Sequence, residues 1–151
     1  MNLETYDLLP APSGFIVEFI SVGPKGRIKK IVSYTELATP GFYNLSFGDV
    51  DPLTGAMNDR FRSGNGDAEK VLATIVQTIM SFTKTNPRAI IQAKGSTEAR
   101  TRLYQMGISR YLDHVHDQFK IYGYSNGGWE LFAKGTTYEA FLAHRINIRD
   151  L

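Results

Sequence analysis

Short runs of β-branched and aromatic residues fill the chain before Asp67, and a helical period takes over from there. Phe15 to Val22 (FIVEFISV) and Arg27 to Tyr34 (RIKKIVSY) read as strands joined by Gly23-Pro24-Lys25-Gly26, which makes a hairpin. Phe42 to Phe47 (FYNLSF) sets Phe42, Asn44 and Ser46 against Tyr43, Leu45 and Phe47, the period of two of a half-buried strand. Asp51-Pro52-Leu53-Thr54-Gly55 supplies a tight turn, and Ala56 to Arg62 (AMNDRFR) is the weaker pattern of a fourth antiparallel strand. Pro10, Pro12 and Gly14 make residues 1–14 an extended lead-in segment.

From Asp67 onward, Val71, Leu72, Ile75, Val76, Ile79 and Met80 fall on one helical face, with Glu69, Lys70, Thr74, Gln77 and Ser81 opposite. Asp67 is the expected N-cap after Gly64-Asn65-Gly66, and Asn86-Pro87 closes the segment, so the helix spans Ala68 to about Thr83. Ala89 to Ala93 (AIIQA) is an interior strand, and Ser96 or Thr97 caps a second helix. That helix carries a Glu98 to Arg102 pair, turns Leu103, Tyr104 and Met106 inward and stops at Gly107. Phe119 to Tyr124 and Trp129 to Ala133 form a hairpin across Ser125-Asn126-Gly127-Gly128. Thr136-x-x-Glu139 is a capping box that opens a short helix through Phe141 and Leu142. The order ββββ-α-β-α-ββ-α predicts the α+β class: a mixed, mostly antiparallel sheet of about six to seven strands, two main helices and a short C-terminal helix.

Length and composition narrow the class further. At 151 residues and 42% apolar content, the expectation is one globular domain over residues 1–151. A net charge of +2 permits an anionic small molecule or weak nucleic-acid binding without implying either by itself. The absence of cysteine excludes disulfides, thiolate zinc sites and cysteine nucleophiles, and fits a reducing cytoplasm. No run approaches the ~18 apolar residues that cross a bilayer, and the N-terminus has no secretory pattern. A cytoplasmic protein without membrane association is expected.

Two loops of small residues open helices, where unpaired backbone N–H groups and the helix dipole can hold phosphate. Arg62, Ser63, Gly64, Asn65 and Gly66 make the first, with Asp67 competing for the same donors. Ser96 and Thr97 make the second, with Arg100 and Arg102 one turn on. Arg88, Lys94, Arg100, Arg102 and Arg110, interleaved with Tyr104 and Tyr111, form either a solvated helix face or a binding surface for nucleic acid or an acidic protein, in a monomer or a homodimer. Asp49, Asp51 and Asp59 fail the calcium-loop spacing, because Leu53, Thr54 and Arg60 stand where ligands or glycine belong. His114 and His116 lack a defined third ligand, so no metal site is assigned. No Gly-x-Ser-x-Gly elbow and no Walker loop occurs.

Tyr43 to Asp49 (YNLSFGD), Asn65-Gly66-Asp67 with Lys70 to Thr74, and Gly95-Ser96-Thr97 with Arg100 to Tyr104 resemble a family of small uncharacterised bacterial proteins. The order of elements also resembles the C-terminal two-thirds of the acetyl-CoA-dependent N-acyltransferase (GNAT) superfamily, and Leu103-Tyr104-Gln105-Met106-Gly107-Ile108 is similar to its Leu-Tyr-x-x-x-Gly-Phe helix end, one residue short. That second resemblance implies a cleft where a central strand pair splays, Arg62 to Asp67 as the pyrophosphate loop for acetyl-CoA, and Tyr104 as the acid for the departing thiolate. Asparagine and aspartate stand at Asn65 and Asp67 where that loop has small residues, and the superfamily's N-terminal strand and helices have no counterpart.

Overall fold

A computed structural model describes residues 4–58 and 64–146. Its elements in chain order are β1 (Leu9–Pro10), β2 (Ile16–Gly23), β3 (Gly26–Glu36), β4 (Phe42–Val50), β5 (Met57–Asn58), α1 (Ala68–Thr85), β6 (Ile90–Ala93), α2 (Glu98–Val115), β7 (Phe119–Ser125), β8 (Gly128–Leu131) and β9 (Ala140–Arg145). Among the described residues they build one α+β layer pair: two helices on a mixed, mostly antiparallel sheet in the order β1-β2-β3-β4-β6-β9-β7-β8, with β5 paired to β4 off that path. No described helix is long and apolar enough to cross a membrane.

The two halves of the sheet meet where β4 pairs in parallel with β6, Phe42 opposite Ile90 through Leu45 opposite Ala93. A parallel neighbour needs a crossover, and α1 supplies it. Val71, Ile75 and Phe82 of α1 pack on Phe19, Val32, Tyr34, Leu45 and Ile91 of the sheet. Burying each of the largest of these side chains contributes about 1.5–3 kcal/mol. Threonines do a second job. Thr74, predicted on the polar face, is buried, donating to the Lys70 carbonyl (2.6 Å) and accepting from the Tyr6 N–H (3.0 Å). Thr78 meets the Tyr34 hydroxyl at 2.8 Å, and Thr83 accepts from Arg145 Nε at 2.8 Å. Bonding back to a carbonyl of the preceding turn satisfies a buried hydroxyl, so these positions need no water.

Two predicted elements differ. The capping box at Thr136 opens no helix; Ala140–Arg145 is the strand β9, inserted between β6 and β7. Phe141 is almost fully buried there, and a central strand satisfies all its backbone groups, which one short exposed helix would not. Gly107 does not end α2, which runs on to Val115. A Cβ at Gly107 would lie 3.1 Å from the Leu72 side chain, so the glycine is a close contact between the two helices. The fourth strand predicted at Ala56 to Arg62 is short, Met57–Asn58, and its remainder lies outside the described residues. The Asn126-Gly127 turn is as expected, both residues having positive φ (50° and 77°).

Burial raises the Tyr34 phenol far above its usual value of 10.0, against the lesser opposing effect of the Thr78 hydrogen bond. A phenol harder to ionise in the folded chain gives stability that is full below pH 10 and lost as pH climbs from there toward the raised folded value. Denaturant titrations across this range should show an alkaline decline that Tyr34→Phe reduces. A Cβ at Gly23 would lie 1.8 Å from the Asn65 carbonyl oxygen. Gly23→Ala should therefore lower stability by about 1–3 kcal/mol in urea titrations.

Candidate anion-binding cleft

The parallel pairing of β4 with β6 stops at Leu45 and Ala93, yet β4 runs five residues further, to Val50. There β6 ends and leads into the start of α2, while β4 continues and pairs with β5 through Asp49 and Val50. An open α/β sheet binds ligands outside the carboxyl ends of such strands, where helix N-termini converge. A cleft of about 880 Å³ lies here, lined by Lys30 and Phe47 of the sheet, Gly64 to Val71 at the start of α1, and Ala99 and Arg100 at the start of α2.

Its floor is charged. Lys30 and Asp49 face each other across β3 and β4, both buried, and form an ion pair. The Lys30 Nζ lies 5.9 Å from the Phe47 ring centroid, and the Arg100 guanidinium 5.2 Å from the same ring. Cations over an aromatic face are held by its quadrupole, so Phe47 gives two buried cations one apolar rest. At the rim, Lys70 lies 4.3 Å over the Tyr6 ring and 3.5 Å from Glu4 Oε1.

The loop before α1 is built otherwise than its sequence suggests. Asp67 makes no side-chain cap. Its carboxylate accepts hydrogen bonds from the Tyr6 hydroxyl (2.6 Å) and Ser21 Oγ (2.5 Å), turned away from the first N–H groups of the helix. Asn65 is buried: its amide donates to Ser21 Oγ (3.1 Å) and the Gly26 carbonyl (2.9 Å), and its oxygen accepts from the Lys25 N–H (2.7 Å). The Asn65 side chain therefore clamps the β2–β3 turn. At Gly66, φ is +73° and the backbone passes against Pro24, which suits glycine alone.

Of the residues expected to hold an anion, Gly64, Asn65, Gly66 and Arg100 share this cleft, while Arg62 and Ser63 lie outside the described residues. Thr97, not Ser96, caps α2, its Oγ1 accepting from the Arg100 N–H at 3.1 Å, and both residues are exposed. Arg102 stands on the outer side, 4.0 Å from Glu98, in a depression with Met106 and Arg110. Arg110 is ion-paired with Glu69. The basic interval is thus split: Arg100 points inward and the others outward. Tyr104 lies one turn beyond Arg100, buried in the core. Lys30, Phe47 and Asp49 were not singled out as site residues. The signal existed: Lys30 shares the parity of Val32 and Tyr34, and Asp49 that of Leu45 and Phe47, so each strand places a charge on its buried side.

These features define an α+β protein with an open mixed sheet and a charged cleft at the ends of its two parallel strands. The chain belongs to a family of unknown function, DUF6934, whose model matches residues 2–146. No curated protein and no solved structure gives a significant match.

Removing Asp49 should leave the Lys30 ammonium buried without its counter-charge. Asp49→Ala is expected to cost about 3–5 kcal/mol in chemical denaturation, whereas the double replacement Lys30→Met with Asp49→Leu should fall close to the parent.

Proposed function

We propose that the cleft holds a phosphate-bearing cofactor and that the protein is acyltransferase-like, with acetyl-CoA as the cofactor to test first. The observation that carries this reading is the cleft beyond the end of β6, which Arg100 and the N-terminal residues of α1 both line. About 880 Å³ falls within the range of small-molecule and cofactor sites. With the Asp67 carboxylate turned to Tyr6 and Ser21, it does not cap the first backbone N–H groups of α1. Phosphate oxygens would take hydrogen bonds from those groups and from Arg100, while Asn65 keeps the loop in place by bracing the hairpin below it.

Acetyl-CoA would supply an activated thioester. The acyltransferase resemblance gives Tyr104 the proton for the departing thiolate; Tyr104 lies one turn beyond Arg100 on the buried side of α2, in the core and not among the residues that line the cleft, so that role requires the cofactor to reach past Arg100. The resemblance puts the splay between Ala56 to Arg62 and Ala89 to Ala93; of the first strand only Met57–Asn58 is described, paired with β4, while the four residues of β6 pair with β4 at Phe42 to Leu45. The rival reading, a non-catalytic module using Arg100, Arg102 and Arg110, keeps only the last two on one surface, the outer depression beside Met106, which is 58% exposed.

Calorimetry with acetyl-CoA should show binding that Arg100→Ala weakens by roughly tenfold or more, the worth of a hydrogen bond to a charged group. No heat at millimolar ligand would sink the proposal.

A further inference from the structure

Both helices pack on one face of the sheet, and among the described residues no helix covers the other. Strand register places its side chains. Tyr122 stands opposite Leu142 on one side and Leu131 on the other, Tyr124 opposite Trp129, and His144 opposite Lys120. Alternation assigns these to the uncovered face, since Ile121, Phe141 and Ala143 line the space under the helices.

The aromatic rings there come in two sets. Tyr122 stacks on His144 with centroids 5.9 Å apart and planes 20° apart, and Tyr124 leans on Trp129 at 5.1 Å. Tyr122 and Tyr124 are two residues apart on β7, so the sets lie roughly 7 Å from one another along the strand. Trp129 is 44% exposed. Beside them stand the Gln92 amide and a pair in which Asn44 donates to Ser46 (3.1 Å). Among the described residues, the strands of this face carry Arg27, Lys29 and Lys120 against Glu18, and Lys29 lies 4.0 Å from Glu18, which leaves Arg27 on β3 and Lys120 on β7 as the excess.

Aromatic rings are common in protein–protein interfaces as well as beneath bases, so the charge of the face and its polar groups separate the two. Along with the aliphatic side chains of Ile20, Val22, Leu131 and Leu142, this face carries ring faces, amides, a hydroxyl and a positive balance. We infer that the uncovered face binds single-stranded RNA. Two bases stack on the Tyr122/His144 and Tyr124/Trp129 platforms, Lys120 meets phosphate at one end of the β7 stripe, and Gln92 with the Asn44 and Ser46 pair faces the ribose hydroxyls. Every base has a π-face, so stacking of this kind tolerates sequence, and the charge complementarity makes it salt-dependent. The surface is separate from the cleft at Phe47 and does not rest on the cofactor reading.

Trp129 is the only tryptophan in the chain and so reports on its own platform. A short fluorescein-labelled RNA of mixed sequence should bind the full protein with quenching of tryptophan emission. Its affinity should fall with salt at a log–log slope of about −0.7 for each phosphate neutralised. Tyr122→Leu and Trp129→Ala, each first shown by thermal melting to fold, should weaken binding about tenfold or more. Lys120→Gln should make the slope shallower by about 0.7, and Arg100→Ala should leave binding unchanged. The inference is overturned by any of three results: binding without quenching, equal affinity for DNA or duplex RNA, or a shift in Trp129 emission that follows protein concentration alone and so marks self-association.

Discussion

Four residue pairs hold the two halves of this sheet together. β4 belongs to the antiparallel meander of the first half, and its parallel contact with β6 runs only from Phe42 and Ile90 to Leu45 and Ala93. Because α1 must cross over between two parallel neighbours, its placement on the sheet follows from this contact. β6 ends where the pairing does and its chain turns into α2, while β4 continues to Val50; the cleft lies beyond that point, lined by the starts of both helices. The position of β9 follows too. It pairs with β6 on one side and β7 on the other, so the last strand closes a sheet that the middle of the chain began.

What fills the opened end is polar, and it is tied down by hydrogen bonds as much as by apolar packing. Ser21, Asn65 and Asp67 come from a strand and a loop far apart in sequence and bond to one another and to Tyr6. Lys30 and Asp49 sit buried beside Phe47, where hydrophobic burial alone would have placed leucine or valine. An ion pair out of water is weak evidence for stability, since its desolvation offsets much of its attraction. Of the two, Lys30 lines the cleft, and Asp49 is its buried counter-charge.

Period and composition located α1, β2, β3, β4, β6 and the β7–β8 hairpin, because amphipathic spacing and an Asn-Gly turn are local properties. Gly107 and the capping box at Thr136 were misread because both are also local signals, and here tertiary contact prevailed. Leu72 needed a neighbour without a Cβ, and the gap between β6 and β7 needed a strand. Asp67 had the right residue type and position for an N-cap, but Tyr6 and Ser21 offered its carboxylate two hydroxyl donors at closer quarters. No window of sequence around Asp67 contains either partner.

By itself, then, the chain determined its class, its two helices and the loops that open them, all consequences of spacing between residues a turn or a strand apart. The tertiary structure decided which of those loops faces a cavity, which of the basic residues points into it, and that Lys30, Phe47 and Asp49 lie beneath. Those outcomes depend on strand register and on contacts between distant segments, such as Lys30 with Asp49 and Phe47 with Arg100. Periodicity can give the side of a strand on which a residue lies, but only pairing determines what it faces.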